Sequence, residues 1–389
     1  MFIPQLRRAA LLILCSSAAM LHADSNRPKI VFLTGDEEYR SEESMPMLAQ
    51  ILRRDFDVDV HVGFSVDADR FVDPMANESL TGTAELADAD LLVLFLRFRR
   101  PDPASFQPIL DYLASGKPVV AFRTSTHAFR FAANSPFAAW GVQQDPSFVH
   151  SFSGGELIRE LLGQKWITHH GHFDDGAHEL TAVSLEPAQA AHPILSGVTP
   201  FDAYSWLYHV QGGGDTLSDD PTLLLSGHSL RSNHEAKGQT DRYSLINPVA
   251  WTKTHSGNPT APARVFTTTL DHPYDFTLAP MRRLALQGIL WALGREEWIP
   301  ATGVSTDPVA PYEPNNSGFG RAAHKSGHYP ERFFPSAARR LQTRLSRPTW
   351  IRRPARGLPH LTPAQGQTWL HHRDRRRRQR RTAAIPAEV

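Results

Sequence analysis

The apolar positions come in short bursts of two kinds. Lys29 to Leu33 (KIVFL) is a continuous apolar run that stops at Thr34-Gly35, the pattern of a buried strand running into a loop. Glu42 to Phe56 carries Met45, Leu48, Ile51 and Leu52 on one helical face, and Val58, Val60 and Val62 then alternate as a second strand. Leu91 to Leu96 (LLVLFL) has no polar position, as expected of a central parallel strand covered on both faces. Phe106 to Leu113 reads as a helix stopped by Ser115-Gly116, and Pro118 to Phe122 as the next strand. This strand–helix–strand rhythm predicts an α/β fold: an open, mostly parallel sheet with helices on both faces, flavodoxin-like. Residues 134–260 lose the rhythm and are rich in His, Gly, Pro and aromatics, which suits long loops over one end of a sheet. Further strands are expected at Leu223 to Leu225, Pro248 to Trp251 and Val265 to Leu270. A closing helix is expected from Ala279 to Leu293, ended by Gly294.

Composition divides the 389 residues into three parts. Residues 1–23 have the layout of a secretory signal: Arg7 and Arg8, an apolar stretch, then Leu21-His22-Ala23. A periplasmic or secreted location is therefore expected, with an uncleaved anchor as the rival reading. No later run reaches the ~18 apolar residues of a membrane span. Cys15 is the only cysteine, so a processed chain would have no disulfide, thiolate metal site or cysteine nucleophile. Residues 331–389 hold 15 Arg, no Lys and three acids, a net of +12, which leaves −11 for residues 1–330. The acidic body gives no reason to expect nucleic-acid binding. The Arg-rich tail, 329–389, is expected to be disordered. Its charge suits a polyanion, but an exported protein rarely meets nucleic acid, so out-of-frame translation of a GC-rich gene or a non-functional tail is the favoured reading.

Open parallel sheets bind ligands beyond the carboxyl ends of their strands. Three loops meet that condition: Asp36 to Arg40 with Glu37, Glu38 and Tyr39, Arg97 to Arg100, and Arg123 to His127 with Ser125. Arg97, Arg99 and Arg100 have a plainer reading as partners of nearby acids at the surface. In His169-His170-Gly171-His172, His170 and His172 share a side of an extended segment and would suit zinc or a similar divalent ion. Hydrogen bonding within a loop is the alternative. Tyr204, Trp206, Tyr208 and Trp251 suit either stacking on a sugar face or packing in the core.

Three late segments carry a resemblance: Pro248-Val249-Ala250-Trp251, Ala263 to His272 (ARVFTTTLDH) and Leu284 to Gly294 (LALQGILWALG). With His192-Pro193-Ile194, Phe201, Tyr204 and the opening Gly35 to Arg40, residues 28–328 resemble the trehalose-utilisation (ThuA-like) family. One departure is that Asp271-His272 stands where that family often has Gly-His. The resemblance implies a ThuA-like domain at 24–328 with a class I glutamine-amidotransferase-like fold. It also places Arg123 at the turn that carries the amidotransferase cysteine. Arginine is permanently protonated and cannot attack a carbonyl, so amidotransferase activity is not expected. The helix expected after that turn would add positive potential.

The resemblance further implies carbohydrate catabolism, with an oxidised 3-keto-glycoside as substrate. A base would remove the proton next to the ketone, leading to isomerisation, elimination or hydrolysis. His127 or a histidine of 169–172 is the expected base, and Arg123 or a metal ion the oxyanion holder. His272 joins Glu37, Glu38, Tyr39, Arg40, Arg97 and Ser125 as a ligand-binding candidate. Alanine at Arg123 or His127 is expected to cost turnover far more than stability. The rival reading is a sugar-binding or scaffold domain without turnover.

Overall fold

The computed structural model describes residues 27–144, 152–171, 175–255 and 262–336. The signal-like segment and residues 337–389 lie outside the described residues, as does His172. Among the described residues no helix is long and apolar enough to cross a membrane.

The sheet starts as the apolar runs predict. Strands β1 (Lys29–Gly35), β2 (Asp59–Gly63), β3 (Leu91–Leu96) and β4 (Val119–Phe122) alternate with helices α1 (Ser41–Asp55) and α2 (Pro103–Ala114). The irregular middle contributes β5 (Val142–Gln144), β6 (Phe152–Gly154), α3 (Glu156–Leu162), β7 (Thr168–His169), β8 (Thr181–Leu185), β9 (Phe201–Ala203), β10 (Tyr208–His209), β11 (Thr222–Ser229) and the one-turn α4 (Asn233–Ala236). β12 (Ile246–His255), β13 (Ala263–Thr268), α5 (Ala279–Ala292) and the short α6 (Pro330–Phe333) complete the order.

Nine strands form one sheet in the order β2-β1-β3-β4-β13-β12-β11-β8-β9. The first five are parallel and the rest join antiparallel, so seven of the nine point the same way and only β12 and β8 run against them. The α/β class with a mostly parallel sheet holds. The strands expected at Leu223 to Leu225 and Pro248 to Trp251 are there, within the longer β11 and β12, but the expectation of loops for the rest of 134–260 does not hold, because β8 and β9 extend the sheet. At five and three residues, these two strands are too short to show a strand period in the sequence.

Alternate residues of the central strands feed two cores. Phe32, Val93 and Val120 pack with α1 and α5 on one face. Val31, Leu92, Leu94 and Ala121 pack with α2 and α3 on the other. Helices therefore cover both faces, and polar residues collect at the strand ends. Helix α5 lies directly on β13: a Cβ at Gly288 would come 2.3 Å from the Phe266 ring, so only glycine permits that contact.

Packing continues beyond residue 328, where the ThuA-like domain was expected to end. The Arg53 guanidinium sits 4.1 Å over the Phe334 ring and donates to the Pro335 carbonyl at 2.8 Å. This strap lies along α1.

Candidate functional site

The loops after β1, β3, β4 and β13 meet at one edge of the sheet. After β1, the Asp36 carboxylate accepts the amides of Glu38 (2.6 Å) and Tyr39 (2.9 Å) and the Thr124 hydroxyl. An aspartate that captures amides two and three residues ahead folds the chain into a tight turn. Glu37 leaves this turn toward Arg97 and Arg99, whereas Glu38 and Tyr39 face a cleft. Arg40 then adopts a left-handed backbone (φ 56°) that starts α1.

After β4 the chain turns sharply at Arg123, whose φ of 35° is unusual for a side-chain-bearing residue. The guanidinium is fully buried between the rings of Tyr39 (4.3 Å) and Tyr208 (4.5 Å). It donates to the Thr269 carbonyl (2.7 Å), the Trp206 carbonyl (3.3 Å) and the Tyr39 hydroxyl oxygen (3.1 Å). Because arginine only donates, the Tyr39 oxygen is the acceptor and its own hydrogen is available elsewhere. Only a five-residue 3-10 turn, Arg123–His127, follows the strand, so the helix expected to add positive potential is not there.

The cleft has a volume of about 510 Å³ and is lined by Glu38, Tyr39, Arg97, Phe98, His127, Trp166, Thr168, His169, Tyr208, Asn233, His234, Lys237 and Phe319. One wall is a file of rings. His127 stands 5.0 Å from Phe98 and 5.8 Å from Trp166, and His169 is 6.0 Å from Trp166 and 6.4 Å from Tyr208. Such faces suit the C–H side of a sugar ring.

Of the titratable groups that line it, His127 and Glu38 are shifted in ways that suit proton transfer. Burial, and then the charges of Arg97 and Arg123, hold the His127 imidazole well below the usual histidine range, so it is neutral. The Thr126 hydroxyl donates to the Arg123 carbonyl (3.1 Å) and lies 3.2 Å from His127 Nδ1. The Thr126 proton is thus committed, Nδ1–H donates to Thr126 Oγ1, and the lone pair falls on Nε2. Burial pushes the Glu38 carboxyl up to about 7, against the opposing pull of Arg97, whose Nε lies 3.2 Å away.

The other expected residues take different places. Arg123 does not line the cleft; it acts on it through Tyr39 and Tyr208. Ser125 is buried, donates to the Leu94 carbonyl (2.9 Å) and accepts the Leu96 amide (3.3 Å), so it ties the turn to β3. Arg40, also buried, holds the loop at 316–318 through the Asn316 and Gly318 carbonyls. Glu37 is consumed by Arg97 and Arg99, so Arg97 is a cleft residue that is already paired. Arg99 pairs in the interior and not at the surface, while Arg100 makes an exposed pair with Glu78.

His272 Nδ1 accepts the Tyr274 amide (3.1 Å), which leaves Nε2–H to reach Ser317 Oγ (3.0 Å) and Asp175 (3.5 Å). It pins two segments together behind Tyr39. Asp271, where the resembled family often has glycine, has φ 113°, a backbone that favours glycine.

The histidine cluster splits by strand alternation. His169 faces the cleft, while His170 is buried against Ser232 (2.7 Å) and the His234 ring (5.1 Å). The zinc pair expected of His170 and His172 falls partly outside the described residues. Of the four candidate aromatics, only Tyr208 lines the cleft. Trp251 is core, with its Nε1–H on the Leu162 carbonyl (2.8 Å). Trp166, His234, Asn233, Lys237 and Phe319 were not expected. The clue to the first two is the aromatic and histidine content of 134–260.

No protein-family model and no curated protein matches the chain. Among solved structures, it is similar to a protein designated ThuA-like from Parabacteroides merdae, at 18% identity and TM-score 0.40 over 69% of this chain and 90% of the other. A second protein so designated, from Bacteroides uniformis, matches at 12% identity and TM-score 0.40 over 69% and 93%. A cytoplasmic protein from Salmonella typhimurium matches at 10% identity and TM-score 0.33 over 70% and 98%. Likeness this distant leaves the reading of the site to its own geometry.

Proposed function

We propose that this is an exported carbohydrate-active protein whose cleft binds a sugar bearing a ketone, a 3-keto-glycoside, and removes the proton next to that ketone. The observation that carries the reading is one aromatic-walled cleft holding a neutral imidazole, His127, and a phenol, Tyr39, backed by a buried guanidinium. His127 Nε2 takes the proton from the carbon beside the carbonyl. The C–H electron pair moves to the carbonyl oxygen, which Tyr39 O–H holds. Arg123 is a positioning residue: its hydrogen bond to the phenol oxygen favours negative charge there. Glu38, poised near neutral pH, returns a proton to the product. Return to the former carbonyl carbon, with the proton of the hydroxyl on the deprotonated carbon passing to the former carbonyl oxygen, gives isomerisation. Loss of the group at the next carbon gives elimination, which water addition turns into net hydrolysis.

The test is hydrogen exchange of methyl 3-keto-α-glucoside in D2O, followed by NMR. The wild-type protein should exchange the protons flanking the ketone, and His127→Ala should slow this about 10²–10⁴-fold. Binding without exchange would favour the rival reading, a sugar-binding domain without turnover. Neither binding nor exchange would rule out both.

A further inference from the structure

We infer that Phe319 is the platform of a second subsite at the cleft rim, which takes the flat, apolar face of the ring attached to the ketosugar. This rests on the proposed function above.

Phe319 is 58% exposed and is, of the large exposed hydrophobic residues described, the one that lines the cleft. An aromatic side chain left largely in water at the mouth of a cleft offers a ring face to whatever enters. The segment that carries it is firmly held. The Gly318 amide donates to the Glu38 carbonyl (2.9 Å), Arg40 Nε donates to the Asn316 carbonyl (2.9 Å), and His272 holds Ser317 (3.0 Å). The flanking glycines, Gly318 (φ 131°) and Gly320 (φ 88°), have open space where a side chain would sit, so they are needed for the backbone turn and not for clearance. The Arg97 guanidinium lies 5.1 Å from the Phe319 ring and 4.4 Å from Phe98, which joins the rim to the inner ring wall. The cleft volume of about 510 Å³ lies within the ~300–1,000 Å³ range of pockets that enclose drug-sized ligands, which leaves room for a second ring.

Titration calorimetry on wild type, Phe319→Ala and Phe319→Trp tests the assignment with three probes: methyl 3-keto-α-glucoside, 3-ketotrehalose and 4-nitrophenyl 3-keto-α-glucoside. Phe319→Ala should weaken at least one two-ring probe about three- to tenfold while the methyl glycoside stays within about twofold, and Phe319→Trp should retain the affinity. Whichever two-ring probe loses more tells whether a sugar or an aryl group is the natural occupant. Equal losses on all three probes, or none on either two-ring probe, would overturn the subsite while leaving the proposed function standing if the methyl glycoside still binds. Wild-type protein that binds none of the three would overturn both.

Discussion

Two loops leave the same edge of the sheet and both touch Arg123, yet they are built differently. In the loop after β1, every acid is matched: Asp36 holds two amides and a hydroxyl, Glu37 holds Arg97 and Arg99, and Glu38 meets Arg97. In the loop after β13, Asp275 gathers the amides of Tyr204 (2.6 Å), Asp271 (3.0 Å) and His272 (3.0 Å) and the Ser205 hydroxyl. Asp271, four residues earlier, is fully buried with neither carboxyl oxygen hydrogen-bonded. The first loop opens its Glu38 and Tyr39 to the cleft. The second faces inward and locks the support behind it. Position at a strand's carboxyl end therefore does not make a residue a ligand contact; the turn that follows decides which way its side chain goes.

The largest test of this contrast is Arg123→Ala, because Arg123 joins the two loops. Its removal strips three hydrogen bonds and empties the space between two tyrosine rings, so stability should fall by about 3–5 kcal/mol in chemical denaturation. The expectation that alanine here costs turnover far more than stability is a separate test, read as activity per folded molecule on the same variant. A variant that unfolds within about 1 kcal/mol of wild type would mean that the loops are held independently.

The next effect concerns Glu38. Its carboxyl is raised to about 7 in the fold from an ordinary value of 4.5. A raised acid contributes stability that is fully present below pH 4.5 and is lost as pH rises through 7. The full shift corresponds to about 3 kcal/mol. His127 and His170, depressed by burial, have the opposite sign and lose stability as pH falls below 6.5. They cancel when wild type is compared with Glu38→Gln at each pH. The variant should gain on wild type steadily from pH 4.5 to 7.5, and a flat difference would mean that Glu38 ionises freely in the cleft.

The same contrast explains what the sequence made legible. The parallel strands are continuous apolar runs, and their end loops follow in order, so Glu38, Tyr39, Arg97 and His127 could be picked out. On the opposite wall, His169 and Tyr208 stand out by residue type alone, and Trp166 and His234 do not stand out, because short strands, loops and single turns there leave no period long enough to read. Phe319 is held at the cleft by contacts of its segment with residues such as Arg40, Glu38 and His272, some 280, 280 and 45 residues away in sequence. Nothing local distinguishes Arg123 facing a cleft from Arg123 lying behind it. Its buried position depends on two distant tyrosines and the Thr269 carbonyl.

Asp271→Gly, read near pH 3.5, is the smallest effect, and its pH dependence separates two costs at a single residue. The backbone at φ 113° strains any residue but glycine, a penalty of about 1–3 kcal/mol that does not depend on pH. The carboxyl adds a second cost. Burial, and then the nearby Asp275 charge, keep it well above its ordinary 3.8; Arg123 opposes this, and its amide lies near without completing a hydrogen bond. Below pH 3.8 the group is protonated in folded and unfolded chains alike, so it costs nothing by ionisation. As pH rises above 3.8 the unfolded chain gains by ionising while the folded chain does not, and stability is lost. Asp271→Gly should therefore be more stable than wild type by about 1–3 kcal/mol near pH 3.5, from strain alone, and by a larger margin at pH 7. Urea denaturation of both proteins at the two pH values measures each margin. A gain equal at both would mean that Asp271 ionises normally and that only its backbone is strained. A loss at both would show that the carboxyl holds the second loop together, and the two loops would then be alike after all.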